Sequence, residues 1–403
     1  MMTDYQWIER GGVTTAQGYA AGAVAAGIKT SGKKDMALVV SATKASLGAT
    51  FTTNQVKAAP VKLSMEHAKK GEVRAVILNA GNANACTGLR GINDAKSMVQ
   101  EVATKLGCKR HEVLVCSTGR IGIPLPMAKV KRGIGKLFNK LAVSGGKTAA
   151  KAIMTSDTYP KECAASLQID GKTVVIGGMA KGAGMIHPNM ATMLACITTD
   201  AAIEKKLLVK LTGECVERSF NRISVDGDTS TNDTVIVLSN GAAGHPVMEK
   251  NHPELAKFEA VLTEVMRKLA RMIIEDGEGI TKVVELTIQG ARNNLDAKRA
   301  AESIARSPLV KSSWCGNDPN WGRLMDAIGY SAAQVKEEMI DIYYNGLIGV
   351  KGGLASSTPM SRLRKEVRNR NFSITIDLHQ GKGCYSLLVN DLTEEYVTLN
   401  KGE

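Results

Sequence analysis

Strand-like and helix-like patterns follow one another along this chain in no steady alternation, and that irregular order is what most constrains its fold. Residues 164–176 alternate apolar and polar and turn back at Asp170-Gly171, a pair suited to a two-residue hairpin. Residues 253–275 instead carry Leu255, Phe258, Leu262, Val265, Leu269 and Met272 at helical spacing, with Pro253 in the first turn and a stop at Asp276-Gly277-Glu278-Gly279. Residues 35–53 read as two strands around a Lys44/Gly48 loop, and 74–78 as another short strand. A helix is expected over 93–106, from the stripe Ala95, Met98, Val99, Val102 and Leu106, with Gly107 just past its end. Residues 113–116 read as a strand opening into a Ser117-Thr118-Gly119-Arg120 turn. A helix over 201–220 and a strand over 234–238 come next. The last third predicts strands at 283–288 and 340–344, a hairpin of 372–378 with 384–389, and helices at 296–306 and 359–368. A doubly wound sheet needs regular strand-helix alternation. Runs of both kinds with hairpins predict α+β layers instead.

Composition narrows the function. At 403 residues and 44% hydrophobic, the chain can bury two or three domain-sized cores. No apolar run approaches the roughly 20 residues a membrane span needs, and the start MMTDYQWIERGG has neither a signal-peptide core nor a transit pattern, so a cytoplasmic protein away from membranes is expected. Eight cysteines stand singly, without CxxC pairs or histidines at ligand spacing; they read as reduced, mostly buried thiols, with no metal site. A net charge of +13 raises the question of nucleic acid, but only 4% of residues are aromatic and no DNA or RNA module is visible. A basic surface that favours anionic small substrates fits better. Gly146-Lys147-Thr148 lacks the upstream P-loop glycine, since Leu141 stands there. The run 226–233, DGDTSTND, fails as a calcium loop, with Thr231 at the turn-glycine position and Val237 at the bidentate acid position. It reads as a hydrogen-bonded turn.

Three segments carry chemistry. Residues 181–200, KGAGMIHPNMATMLACITTD, pass from glycines through Pro188-Asn189-Met190 into Ala191-Thr192 and an apolar strand. A strand that opens into the small residues Thr118-Gly119 leaves backbone N–H groups free to meet a developing oxyanion. Glu278 stands between two glycines that permit close backbone approach.

These segments belong to an ordered series: Phe51-Thr52-Thr53-Asn54 with Ala58-Ala59-Pro60-Val61; Asn79 to Gly88; Ser117-Thr118-Gly119 leading to Gly122; 155–161; 181–200; 226–233; 276–279; and Asn317-Asp318-Pro319-Asn320-Trp321-Gly322-Arg323. From Phe51 to about Asn400 the chain resembles the ornithine acetyltransferase (glutamate N-acetyltransferase, ArgJ) family. The resemblance implies a layered α/β sandwich of the DmpA/ArgJ-like N-terminal-nucleophile type, cleaved by itself between Ala191 and Thr192 into an alpha subunit, 1–191, and a beta subunit, 192–403. The pair would assemble further as an α2β2 heterotetramer. Thr192 would then be the nucleophile, with its own amine, of reference pKa near ~8, as base. By the same resemblance the Thr118 hydroxyl and the Gly119 N–H form an oxyanion hole. Thr158, Lys181, Glu278 and Asn400, with Thr192, contact substrate. A cation at Lys181 can also depress the pKa of the Thr192 amine and keep it a base at neutral pH.

The implied reaction carries acetyl from N-acetylornithine to glutamate through acetyl-Thr192, in arginine biosynthesis, with no cofactor and with acetyl-CoA as a further candidate donor. The rival within the same fold is an N-terminal-nucleophile amidohydrolase or aminopeptidase, where water takes the acyl group; outside it, a basic nucleic-acid-binding protein. One departure is visible. Family members continue past the asparagine matching Asn400 to a Ser/Thr substrate contact, whereas here Lys401-Gly402-Glu403 follow. Either the sequence is shortened there or that contact is absent.

Overall fold

The computed structural model describes residues 4–187 and 193–401, and all structural counts are of those residues. The expected break and nucleophile, Ala191 and Thr192, lie outside them. In chain order the elements are β1 (Tyr5–Ile8), β2 (Tyr19–Val24), β3 (Met36–Phe51), α1 (Ala59–Ala68), β4 (Glu72–Asn82), α2 (Gly88–Leu106), β5 (Val113–Arg120), α3 (Met127–Phe138), α4 (Gly146–Ile153), β6 (Lys161–Ile169), β7 (Lys172–Lys181), β8 (Leu194–Thr199), α5 (Lys205–Glu217), β9 (Ile223–Ser224), β10 (Thr234–Ser239) and α6 (Leu255–Glu275). They continue with β11 (Val283–Ala291), α7 (Asn294–Arg306), α8 (Pro308–Cys315), α9 (Trp321–Gly329), β12 (Asp341–Tyr344), β13 (Leu347–Lys351), β14 (Leu354–Ala355), α10 (Met360–Val367), β15 (Asn371–Asp377), β16 (Gly383–Asn390) and α11 (Glu394–Leu399). Two compact units result. The first takes Met1–Gly182, Asn189–Asn221 and Thr229–Ile273; the second takes Ala183–Pro188, Arg222–Asp228 and Ile274–Glu403.

A nine-stranded sheet in the order β1-β6-β7-β8-β10-β3-β4-β5, with β2 also on β3, organises the first unit. Its strands are apolar on both faces. In β4, Val76 and Leu78 enter one core with Ala149, Ala152 and Ile153 of α4. Ala75 and Ile77 enter another, with Met98 and Val102 of α2 and Ile134 of α3. Period-two alternation therefore feeds two helix-covered layers from one strand. The hairpin expected at 164–176 is the β6/β7 turn, where Asp170 (φ 48°) and Gly171 (φ 71°) take the positive-φ conformations a two-residue loop demands. Helix α2 ends as expected at Gly107 (φ 62°), although it begins at Gly88, ahead of Asn93. Helix α5 is shorter than 201–220: Glu204 caps it by accepting from the N–H groups of Lys206 and Leu207, and Ile203 bridges to Met248 instead.

The two strands expected around a Lys44/Gly48 loop are one strand, β3, with a register shift between Val40 and Ala45. Gly48 makes no turn. A Cβ there would lie 2.0 Å from Thr212 Oγ1 and 2.8 Å from the Leu208 carbonyl, so glycine lets α5 press against the strand.

The second unit holds a seven-stranded sheet, β14-β13-β12-β15-β11-β16-β9. Val284, Leu286 and Ile288 of β11, Ile374 and Ile376 of β15 and Leu387 and Val389 of β16 pack against α7, α8, α9 and α10, with Trp314 edge-on to Phe372 at 6.3 Å. Here the expected hairpin of 372–378 with 384–389 does not form. Strand β11 lies between the two, parallel to β15 and antiparallel to β16. Helices α8 and α9 went unpredicted: each is under three turns, too short to display a stripe, and is set by its cap, Ser307 accepting from Val310 N–H and Asn320 from Arg323 N–H. Both units are α+β in layers. Among the described residues no helix is long and apolar enough to cross a membrane.

Candidate active site

In the first unit the site grows from the ends of β4 and β5, which run parallel and bring Gly81 beside Gly119. Strand β5 runs on through Ser117, Thr118 and Gly119 to Arg120, where the sequence suggested a turn. Gly119 has φ 126°, and a Cβ on it would sit 2.4 Å from the Gly81 carbonyl carbon. No side chain fits there. Around this crossing the asparagines of 79–88 brace the backbone. Ser117 Oγ donates to Asn79 Oδ1 (2.6 Å), Asn79 Nδ2 donates to the Asn82 carbonyl (2.9 Å), and Asn84 Nδ2 donates to the Gly91 carbonyl (2.9 Å). From the acidic run, Asn232 Nδ2 donates to both the Ala83 and Ser117 carbonyls (2.7 and 2.8 Å). The glycine-asparagine strings thus hold one shape: a strand end whose Thr118 side chain is buried while Gly119 is exposed.

Lys181, the last residue of β7, is also buried, and its Nζ donates to Thr118 Oγ1 at 3.2 Å. A buried ammonium needs a counter-charge. Asp157 supplies it, accepting at Oδ1 from Lys161 Nζ (2.6 Å) and from the Gly182 N–H (2.8 Å). Burial alone would raise the Asp157 pKa, but the charges of Lys181 and Lys161 and the Gly182 N–H hold it down at about 2. Thr158, the neighbouring residue, lies exposed in a bend. Lys29 adds a further cation facing Asp157 and Lys181; burial and the like charge of Lys181 lower its pKa against the pull of Asp35 and Asp157. Its turn is fastened by Asp35, whose carboxylate accepts from four successive N–H groups, Ala26 to Lys29. Asp233, directly before β10, is fully buried: Oδ1 accepts from the Met193 N–H at 2.9 Å, and burial drives its pKa well above the usual carboxylate range.

In the second unit Glu278 is half-buried between its glycines, and Asn400 Nδ2 donates to its Oε2 at 3.0 Å. The glycines act as close-approach points. A Cβ on Gly279 would lie 2.7 Å from Tyr396 N, and one on Gly184 2.5 Å from Glu278 Oε2. The Glu278 N–H donates to the Ala183 carbonyl (2.9 Å). Asp226 accepts from the N–H groups of Met185 and Ile186 (2.5 and 2.9 Å), and Tyr396 OH donates to it at 3.3 Å. Lys311 is buried, donating to the Val225 carbonyl and to Asn390 Oδ1; burial lowers its pKa to about 8 against the pull of Asp226 and Asp391. His187 is buried between Ser224 Oγ and Arg306, and burial with the Arg306 charge lowers its pKa to about 3, so it is a neutral structural imidazole.

The structure therefore brings Thr118, Gly119 and Lys181 together in one unit and Glu278 and Asn400 together in the other. Sequence reading missed Asp157, Lys161, Lys29 and Asp233. Asp157 and Lys161 lie inside the 155–161 string, where an i, i+4 acid-lysine pair was the available signal, and Asp233 closes the 226–233 string; Lys29 lies in none of the strings. Among the described residues no cluster of three His, Cys, Asp or Glu could hold a metal. All eight cysteines are free; Cys86 and Cys384 are exposed, whereas mostly buried thiols were expected.

A layered α+β protein with a buried lysine on a strand-end threonine is the class these observations define. The ArgJ family model matches residues 20–402, and the chain belongs to the ArgJ family. It is 46% identical to the arginine biosynthesis bifunctional protein ArgJ of Geobacter sulfurreducens over 385 residues, covering 95% of this chain and 98% of that one. The Caldanaerobacter subterraneus protein of the same name is 45% identical, over 97% of this chain and 98% of its own. Among solved structures, an ornithine acetyltransferase from Mycobacterium tuberculosis complexed with ornithine is 43% identical over 46% of this chain and 98% of its own, with a TM-score of 0.43.

Proposed function

We propose that this chain is a glutamate N-acetyltransferase of arginine biosynthesis that moves acetyl from N-acetylornithine to glutamate. Kinship over almost the whole length with bifunctional arginine-biosynthesis proteins supports the reaction class. The observation that carries the mechanism is the Lys181 ammonium on the Thr118 hydroxyl, 3.2 Å away, beside Gly119. A hydroxyl held by a buried cation is a polarised donor, suited to an oxyanion rather than to a neutral carbonyl.

In this reading the chain breaks between Ala191 and Thr192. The Thr192 hydroxyl, with its own amine as base, attacks the acetyl carbonyl of N-acetylornithine. Negative charge gathers on the carbonyl oxygen and is met by Thr118 and Gly119. Collapse of the tetrahedral intermediate expels ornithine, whose amine takes the proton held by the Thr192 amine, and leaves acetyl-Thr192. Glutamate then attacks, with the steps reversed. The positive charge of Lys181 keeps the Thr192 amine unprotonated and available. Lys181, Thr158, Glu278 and Asn400 bind the polar groups of the two amino acids, and the basic surface draws the anionic acceptor. Residues 1–191 and 192–403 remain together as two subunits, paired again as α2β2 in the cytoplasm. The relatives are named bifunctional, and acetyl-CoA is the second donor this reading proposes. An amidohydrolase would need no acceptor amine.

Initial rates with N-acetylornithine and glutamate both varied test this. Parallel double-reciprocal lines, with a mass gain of one acetyl on the 192–403 fragment when glutamate is withheld, are expected. Intersecting lines would establish direct transfer, and acetate released as fast with glutamate as without it would make the protein a hydrolase. Acetyl-CoA offered in place of N-acetylornithine decides the second donor.

A further inference from the structure

Lys311 has no part in the transfer just described, yet this buried lysine joins two supports of the loop that carries Glu278. Its Nζ donates to the Val225 carbonyl and to Asn390 Oδ1 (3.0 Å), and its own carbonyl accepts from the Leu392 N–H (3.3 Å). Residues 225–226 form the first support. The Val225 N–H donates to the Ile186 carbonyl (2.8 Å), and the Asp226 carboxylate accepts from the N–H groups of Met185 and Ile186. This turn therefore holds the segment whose Ala183 carbonyl receives the Glu278 N–H. The end of β16 and the residues after it form the second support. Asp391 Oδ1 accepts from the N–H groups of Thr281 and Lys282 (2.9 and 3.0 Å), and Thr393 Oγ1 donates to the Gly279 carbonyl (2.7 Å). Asn390 itself lies against the loop, since a Cβ on Gly277 would sit 2.5 Å from its Nδ2. One side chain ties both supports together.

We propose that Lys311 is a positioning residue for substrate binding, locking Val225 to Asn390 so that the 277–279 loop presents Glu278 to the substrate amine in one fixed place. The inference deepens the proposed function and rests on Glu278 as a substrate contact. Lys311 acts through these groups and touches no reacting atom. As an ammonium it holds harder than an amine, because its charge strengthens both hydrogen bonds and draws in nearby carboxylates. The charged groups that face it are Asp226 from the turn and Asp391 from the end of β16. His187, which its charge helps to keep neutral, faces it too, with Arg306 beyond the imidazole. Burial lowers the Lys311 pKa to about 8 against the pull of the two carboxylates, so the ammonium gives way to the amine as pH rises through 8. The lock should loosen over the same range.

The test is ornithine binding by calorimetry, with transfer kinetics alongside, in wild type, K311M, N390A, the double variant and K311R. K311M and N390A should each weaken ornithine binding about 10-fold and raise the KM for N-acetylornithine to match, with kcat within about threefold of wild type. Because both act through one contact, the double variant should also lose about 10-fold rather than about 100-fold. K311R keeps its charge, so it should bind as wild type does near neutral pH and more tightly than wild type above about pH 8. The amines of ornithine titrate alike for both proteins, so that difference belongs to Lys311. N390A, already without the contact, should lack the extra alkaline loss. K311M binding ornithine like wild type, losses that multiply in the double variant, or wild type and K311R weakening in parallel with pH overturn the positioning role. If a Lys311 variant does not fold, by circular dichroism, the pH dependence of N390A against wild type decides, and parallel curves overturn it. Binding is read without turnover. A wild type that binds ornithine yet transfers no acetyl would therefore sink the transferase reading while the binding series still decides Lys311, and one that does not bind ornithine overturns both.

Discussion

At the scale of single residues, position in the sequence says little about which side chains share an environment. Thr118 and Lys181 are separated by 63 residues, and four strands stand between β5 and β7 in the sheet order, yet the fold brings the two side chains to 3.2 Å. Thr118→Ala should slow acetyl transfer by roughly 10²-fold with a smaller effect on KM, the pattern of a donor felt mainly in the transition state; steady-state kinetics of the cleaved protein read both. Asp157 makes a different prediction. Its folded pKa of about 2 lies below the ordinary aspartate value of about 4, so the stability it contributes is fully present above about pH 4 and is lost as pH falls through 2. Asp157→Asn should remove that part of the acid limb in urea melts run from pH 5 to pH 2. At neutral pH it should cost about 3 kcal/mol, because Lys161 and Lys181 are left buried without their carboxylate.

At the scale of elements, what was legible depended on whether the signal was local. The hairpin at Asp170-Gly171 and the cap at Gly107 were readable because turn chemistry and period are properties of a few adjacent residues. Gly48 was not. In sequence it marks a turn, whereas in the fold it is where α5 meets β3. Gly48→Ala would drive a Cβ to 2.0 Å from Thr212 Oγ1, and because the Leu208 carbonyl stands 2.8 Å away the helix must move. Overpacking of this kind costs about 3 kcal/mol, to be read as a lower urea midpoint at unchanged slope. Gly119→Ala meets backbone on the facing strand as well as an unfavourable φ, and should yield insoluble or unfolded protein.

At the scale of the whole molecule, the strand order bears on what cleavage would do. Strands β8 and β10 follow residue 192 in sequence, yet they pair with β7 and β3, which precede it. Withdrawing residues 192–403 would strip two internal strands from the nine-stranded sheet and expose apolar edges. The two fragments should therefore co-elute on size exclusion after cleavage and part only in denaturant. Separate elution in native buffer would contradict this arrangement.

The sequence by itself determined the layered α+β class, the hairpin and long helix, and the strings that carry the family likeness, since each rests on periodicity or spacing within a short window. Only the tertiary structure decided that β11 lies between β15 and β16, that 36–51 is one strand, that Asp157 neutralises two buried lysines, and that Asn400 reaches Glu278 across 122 residues. An alternating apolar strand carries no label for its neighbour, and a charged side chain none for its partner. Those choices are made by what the remaining elements can bury when they close around it.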